Sequence, residues 1–239
     1  MSAPTPPIAL TPGDPCGIGP EIIARAWREQ AQLVRGCFVA GDVGVMRRAM
    51  ALLCGDVPFP VVAIEAPVEA WSVPPGSLPV LQVVAPAPVL PWGVVDARAG
   101  QLAGECVLWA TRAALRGEVS AIVTAPLHKE ALHAAGAPWD QYPGHTELLQ
   151  AECARDARLP LAGMPVRMML ANDELRTVLV SIHLSMREAL DAITPQQVMQ
   201  TLQITHDALR HLLGRVPRIA VAGVNPHAGE GGLFGREEI

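Results

Sequence analysis

Short β-like runs that alternate with helical ones constrain this chain more than any other feature. "PIAL" precedes "PEIIARAWREQAQL", "GCFVAGD" precedes "GVMRRAMALL", and "AGQLAGECVLWATRAALRG" precedes "SAIVTAP". Such alternation is the pattern of parallel βαβ units, with helices covering a sheet. A proline-rich stretch, residues 57–92, interrupts it and is predicted to be paired strands or irregular crossing structure. Beyond Thr146 come a helix ("ELLQAECARDA"), two apolar runs ("PVRMMLAN" and "LRTVLVSIH"), a helix from Pro195 to about Leu213, and a strand in "RIAVAGVN". Thr194 and Pro195 form a good helix start, because threonine can cap the first free N–H groups and proline suits the first helical position.

The chain has 239 residues, half of them apolar, which allows one large domain or two smaller ones, and two are expected. A formal charge of -5, from 18 basic and 23 acidic residues, lacks the basic surplus of nucleic-acid or anionic-membrane binders. Five cysteines without C-x-x-C spacing argue against a disulfide framework or a thiolate zinc site, and place the protein in the cytoplasm. "MSAPTPPIAL" does not read as a secretory signal. Ser77 to Val95 lacks charge up to its end, but Pro79, Pro86, Pro88 and Pro91 would repeatedly break a spanning helix, so strand and loop are expected.

Predicted position divides the seven histidines. His133, His206 and His211 fall within helical patterns, and the spacings from His128 to His133 and from His206 to His211 do not put a pair on one helix face. His183 and His227 each end a β-like run, "LRTVLVSIH" and "RIAVAGVNPH". Ligands of open α/β sheets gather beyond the carboxyl ends of strands, so these two could converge on a divalent ion, although a catalytic site needs about three protein ligands. The alternative is two polar loop residues satisfied by backbone.

"YPGHTELL" puts His145 and Thr146 before a helix with Glu147 in its first turn. Backbone N–H groups there, with a hydroxyl and an imidazole, can hold a carboxylate or hydroxyl of a small substrate; ordinary capping by Thr146 explains the pattern equally well. "TPGDPCGIGPEI" fits neither the dinucleotide nor the P-loop fingerprint and reads as a tight structural turn. "VTAPLHKEAL" exposes His128 and Lys129 at the end of a strand, where the lysine could meet a phosphate or carboxylate.

Taken together and in this order, "TPGDPCGIGPEI", "VTAPLHKEAL", "PGHTELL", "VSIHL" and "NPHAGEGGLFGREE" resemble the 4-hydroxythreonine-4-phosphate dehydrogenase family of pyridoxal phosphate biosynthesis, from about Ile8 to the last residue. The resemblance implies a homodimer of two α/β/α domains similar to isocitrate and isopropylmalate dehydrogenases, with residues 1–128 in the first domain, residues 129–239 in the second, and the active site in the cleft. It maps metal ligands onto His183 and His227, and a substrate-binding pair onto His145 and Thr146. It implies NAD or NADP and a divalent metal (zinc, magnesium or cobalt). The implied activity is oxidation of 4-phosphooxy-L-threonine at C3 and decarboxylation to 3-amino-2-oxopropyl phosphate.

The third metal histidine of the family, and the lysine, asparagine and arginine that follow it to hold the phosphate, have no matching motif here. "FGREEI" reads as the opening turn of a helix, so C-terminal truncation is expected. Two rival readings are a sister dehydrogenase, acting on D-threonate or D-erythronate 4-phosphate or a carboxylated dihydrodiol, and a non-catalytic fragment that still dimerises or binds metal.

Overall fold

The computed structural model describes residues 5–55 and 59–239. Its contacts group residues 1–164 and 165–239 into two compact units. The expected boundary after residue 128 falls within the first.

In the first unit, β1 (Ile8–Thr11), β2 (Cys37–Gly41), β3 (Val61–Ile64), β4 (Leu78–Gln82) and β5 (Ala121–Thr124) form a five-stranded sheet, all parallel, in the order β3-β4-β2-β1-β5. The proline-rich stretch therefore continues the sheet, since it supplies β3 and β4. Strand alternation divides the core between the two faces. Cys37 and Val39 of β2 pack with Leu78, Val80 and residues of α1 (Gly19–Glu29) and α2 (Val43–Cys54). Phe38 and Ala40 point the other way, towards Ala110 and Ala113 of α3 (Ala97–Leu115). Each fully buried aliphatic side chain contributes about 1.5–3 kcal/mol relative to exposure, so burial on both faces explains why these strands are continuous apolar runs.

Beyond β5, α4 (Lys129–Ala134) and α5 (His145–Asp156) pack on α3. Small residues on α3 make this possible: a Cβ at Gly100 would collide with the Ala131 carbonyl, and one at Gly104 would lie 2.5 Å from the Trp139 ring. Val107, Leu132, Trp139 and Leu148 fill the space between. One buried charge ties α5 down, as Glu152 accepts from Arg112 Nε at 2.6 Å and also pairs with Arg155.

The second unit holds an antiparallel hairpin, β6 (Met169–Ala171) and β7 (Arg176–Val178), then α6 (Met186–Asp191) and α7 (Pro195–Leu213). Thr194 caps α7 as expected, accepting from Gln197 N at 3.2 Å. Arg167 pins the approach to β6 onto α7 through Thr201, Gln197 and Gln200. Two strand expectations are corrected here. "LRTVLVSIH" is strand only as far as Val178, and "RIAVAGVN" forms no strand among the described residues. A strand exists only through ladder hydrogen bonds to a neighbour, and this apolar run, with Val221 64 % exposed, has none to join among the described residues.

Gly100→Ala should lower unfolding stability by about 1–3 kcal/mol, through overpacking against α4, in a denaturant titration. Glu152→Gln should cost about 1.5–3 kcal/mol at neutral pH. Burial pushes the Glu152 carboxyl up, but Arg112 and Arg155 together outweigh it and hold the group below its ordinary 4.5. A lowered acid stabilises the fold above its unfolded value and loses that contribution as pH falls through the folded one. The deficit of the variant should therefore shrink below about pH 4.5 in thermal melts.

Candidate active site

The strand order places a topological switch beside β1. The connection leaving β1 runs through α1 to β2, while β5, on the other side of β1, leads into elements that pack on α3 across the sheet. Crevices beyond the carboxyl ends of such neighbouring strands are where open α/β sheets bind ligands. The two switch-point loops are joined backbone to backbone. Asp14 N donates to the Pro126 carbonyl at 3.0 Å, and Gly13, at φ +68, lies so close to that carbonyl that no side chain would fit. The Asp14 carboxylate, itself buried, accepts from Cys16 N at 2.8 Å and tightens the turn. "TPGDPC" is thus the structural turn expected from its glycine spacing.

Arg48 braces the same region, donating to the Pro15 carbonyl at 2.9 Å and to that of Leu90, with its guanidinium 4.7 Å from the Trp92 ring centroid. Asp42 caps α2 through Val45 N at 2.7 Å and also accepts from Gln82 Nε2 and Ala87 N. Neither residue stands in a motif that marks it in the chain. A single Arg in a helix carries no motif, although the Gly-Asp pair that ends β2 is a recognisable cap signal.

After Pro126, His128 caps α4, its Nδ1 accepting from Ala131 N at 3.4 Å, and Lys129 opens the helix. Helix α5 begins at His145, with Gly144 at its N-cap and no side-chain cap. The capping alternative for Thr146 therefore falls, because the hydroxyl sits inside the first turn, two positions beyond the N-cap from which it could cap. His145 is half-buried, and its Nε2 is enclosed with no hydrogen-bond partner among the described residues. Burial holds this imidazole below its ordinary value of 6.5, with the Ala125 carbonyl and the Glu147 carboxylate pulling the other way. Thr11 Oγ1, at the carboxyl end of β1, is the other enclosed and unpartnered side-chain atom among the described residues, and the Thr11 carbonyl accepts from Ala125 N at 3.0 Å. Both orphaned groups thus belong to the surroundings of Ala125, at the switch point. Unpaired buried polar atoms are costly and unusual, so these two single out this end of the sheet as the candidate site.

His183 and His227 lie in the second unit, both exposed and both in left-handed backbone, at φ 58 and φ 54. His227 opens a left-handed run through Ala228, Gly229, Glu230 and Gly231 (φ between 43 and 79). Non-glycine residues in this region cost of order 1 kcal/mol or more each, so local contacts must hold the turn. They do: Glu238 accepts from Val224 N and Asn225 N at 2.8 Å, and Phe234 N donates to the Gly229 carbonyl at 3.1 Å. The His227 ring stands 6.0 Å from that of Phe234. Two solvent-facing imidazoles are donors of the right type for a divalent cation. Among the described residues, however, no three His, Cys, Asp or Glu gather into a metal-holding group, so these chain segments alone supply an incomplete ligand set.

Elsewhere in the first unit a cavity of about 580 Å³, lined by Trp27, Arg35, Gly36 and Trp71 among others, opens at the amino ends of β2 and β4. That edge is opposite the switch point, and the unpartnered groups at Ala125 outweigh volume as a guide to chemistry.

Fold and placement define a doubly wound α/β protein of the kind that binds small ligands at the carboxyl edge of its sheet. The chain belongs to the pyridoxal phosphate biosynthetic protein PdxA family, whose profile matches residues 34–239. It is 45% identical over 233 residues to a 4-hydroxythreonine-4-phosphate dehydrogenase of Beijerinckia indica, covering 98% of this chain and 65% of that one. It is 44% identical to a D-threonate 4-phosphate dehydrogenase of Salmonella typhimurium, covering 97% and 67%. A crystal structure of 4-hydroxythreonine-4-phosphate dehydrogenase from Klebsiella pneumoniae superposes with a TM-score of 0.83 at 40% identity, covering 98% of this chain and 68% of that one. The chain thus spans about two thirds of the length of these relatives.

His145 should remain neutral at pH 7 and titrate below 6.5 in a nitrogen-15 imidazole NMR titration. Its folded value is depressed, so the stability it contributes is present above pH 6.5 and is lost as pH falls towards the folded value.

Proposed function

We propose that the complete protein is an NAD-dependent or NADP-dependent dehydrogenase that oxidises 4-phosphooxy-L-threonine at C3, in the cytoplasm, as a homodimer of two α/β/α domains like those of isocitrate dehydrogenase. Residues 1–128 would belong to the first domain and 129–239 to the second. The observation that carries this reading is the enclosed, unpartnered His145 Nε2 beside Thr146 at an uncapped helix start. It lies in a chain 45% identical to a relative of that name. Neutral imidazole and hydroxyl can both donate to and accept from substrate hydroxyls, so the pair orients the substrate without adding charge.

Oxidation removes hydride from C3 and the proton from its hydroxyl, and the resulting β-keto acid loses carbon dioxide to give 3-amino-2-oxopropyl phosphate. The nicotinamide supplies the hydride acceptor. A divalent cation (zinc, magnesium or cobalt), when bound, supplies Lewis acidity towards the substrate oxygens. His183 and His227 would hold it as two of its ligands, which their exposure and donor type support. The second reading, a D-threonate 4-phosphate dehydrogenase, is favoured by relatives of that name at 43% and 44% identity.

Reduced-nicotinamide formation by the full-length protein, with added zinc or magnesium, separates the two. Turnover of 4-phosphooxy-L-threonine is expected, with kcat/KM lowered about 10- to 100-fold in His145→Asn by loss of one well-placed hydrogen bond. Turnover of D-threonate 4-phosphate alone transfers the assignment to the second reading.

A further inference from the structure

The chain contains 18 basic residues, of which 17 are arginine and one, Lys129, is lysine. Surface positions that need only a positive charge accept either residue, and here all of them have gone to arginine. A position that has not done so is one where the two differ physically. Arginine is a wide planar fork, whereas lysine ends in a compact ammonium that can enter a narrow gap as a point charge.

The location of Lys129 agrees. It is the first residue of α4, where the free N–H groups make a cation unfavourable, so helix stability does not account for it. Its side chain crosses to the start of α5. A Cβ built on Gly144 would lie 4.0 Å from Lys129 Cε and 3.6 Å from Glu147 Oε2, so the ammonium stem and the carboxylate flank the space above a buried glycine. His145, with its unpartnered Nε2, is the next residue. Glu147 is the obvious internal partner for Lys129, yet neither residue enters an ion pair among the described residues. Glu130, adjacent to Lys129 in α4, makes none either.

We propose that Lys129 is a substrate-binding residue that takes the carboxylate of the hydroxy acid, in the gap above Gly144. Glu147 decides between the two anions of such a substrate. Its charge repels a phosphate dianion about twice as strongly as a carboxylate monoanion at equal distance, and it offers a complement to an adjacent ammonium. The inference rests on the proposed dehydrogenase reading only for the identity of the ligand, because binding can be read without turnover.

The test uses the full chain with its primary amines carbon-13 dimethylated, the Lys129 signal being the one missing from Lys129→Arg. D-Threonate, which has a carboxylate and no phosphate, should shift that signal saturably, and inorganic phosphate should not. A response to phosphate alone, or to neither probe, overturns the proposal. Unmodified protein provides the second measurement. Lys129→Met should raise KM for the phosphorylated substrate about tenfold or more, the loss of one charge-assisted hydrogen bond, with kcat less affected. An unchanged KM overturns the proposal while leaving the dehydrogenase reading intact. A lysine signal that binds D-threonate in a protein without turnover does the reverse.

Discussion

The backbone contact between Gly13 and Pro126 holds the candidate site together. It joins the turn after β1 to the loop after β5, two segments more than a hundred residues apart in sequence, at the point where the sheet reverses its winding. The contact requires a residue without a side chain in left-handed backbone, and only glycine meets both conditions at little cost. Everything proposed for the first unit sits downstream of it: His128 capping α4, Lys129 crossing to Gly144, and His145 enclosed near Ala125.

A second layer of close approach supports the first. Helix α3 presents Gly100 and Gly104 to α4 and Trp139, so α4 and α5 can lie against it. The Glu152 carboxylate, buried between two arginines, anchors α5 by charge where its amphipathicity is weak. The start of α5 is thereby fixed while its first N–H groups remain without a side-chain cap. Such an arrangement leaves polar groups unsatisfied at fixed positions at the expense of local stability, a feature that binding sites commonly share.

Much of this was legible in the chain. The βα alternation announced β1, β2, β5 and helices α1 to α3, and Thr194-Pro195 announced α7, because apolar periodicity and capping are local signals. The proline-rich stretch left paired strands and irregular crossing structure as open alternatives for β3 and β4, since proline lowers strand propensity whereas sheet position overrides it at edges and strand starts. "RIAVAGVN" misled in the opposite direction. Its composition suits a strand, but no local signal says whether a neighbouring strand is at hand. Thr146 looked like a cap because its residue type is right; only backbone dihedrals show that Gly144 takes that place.

Sequence by itself determined the α/β class and the family and supplied the candidate site residues, since each of these rests on residue order and local pattern. The tertiary structure alone decided that Lys129 reaches the start of α5, that His145 Nε2 is enclosed and unpartnered, and that His183 and His227 stand exposed in left-handed turns. Those facts depend on contacts between distant segments and on backbone dihedrals, and neither leaves a trace in the spacing of residues along the chain.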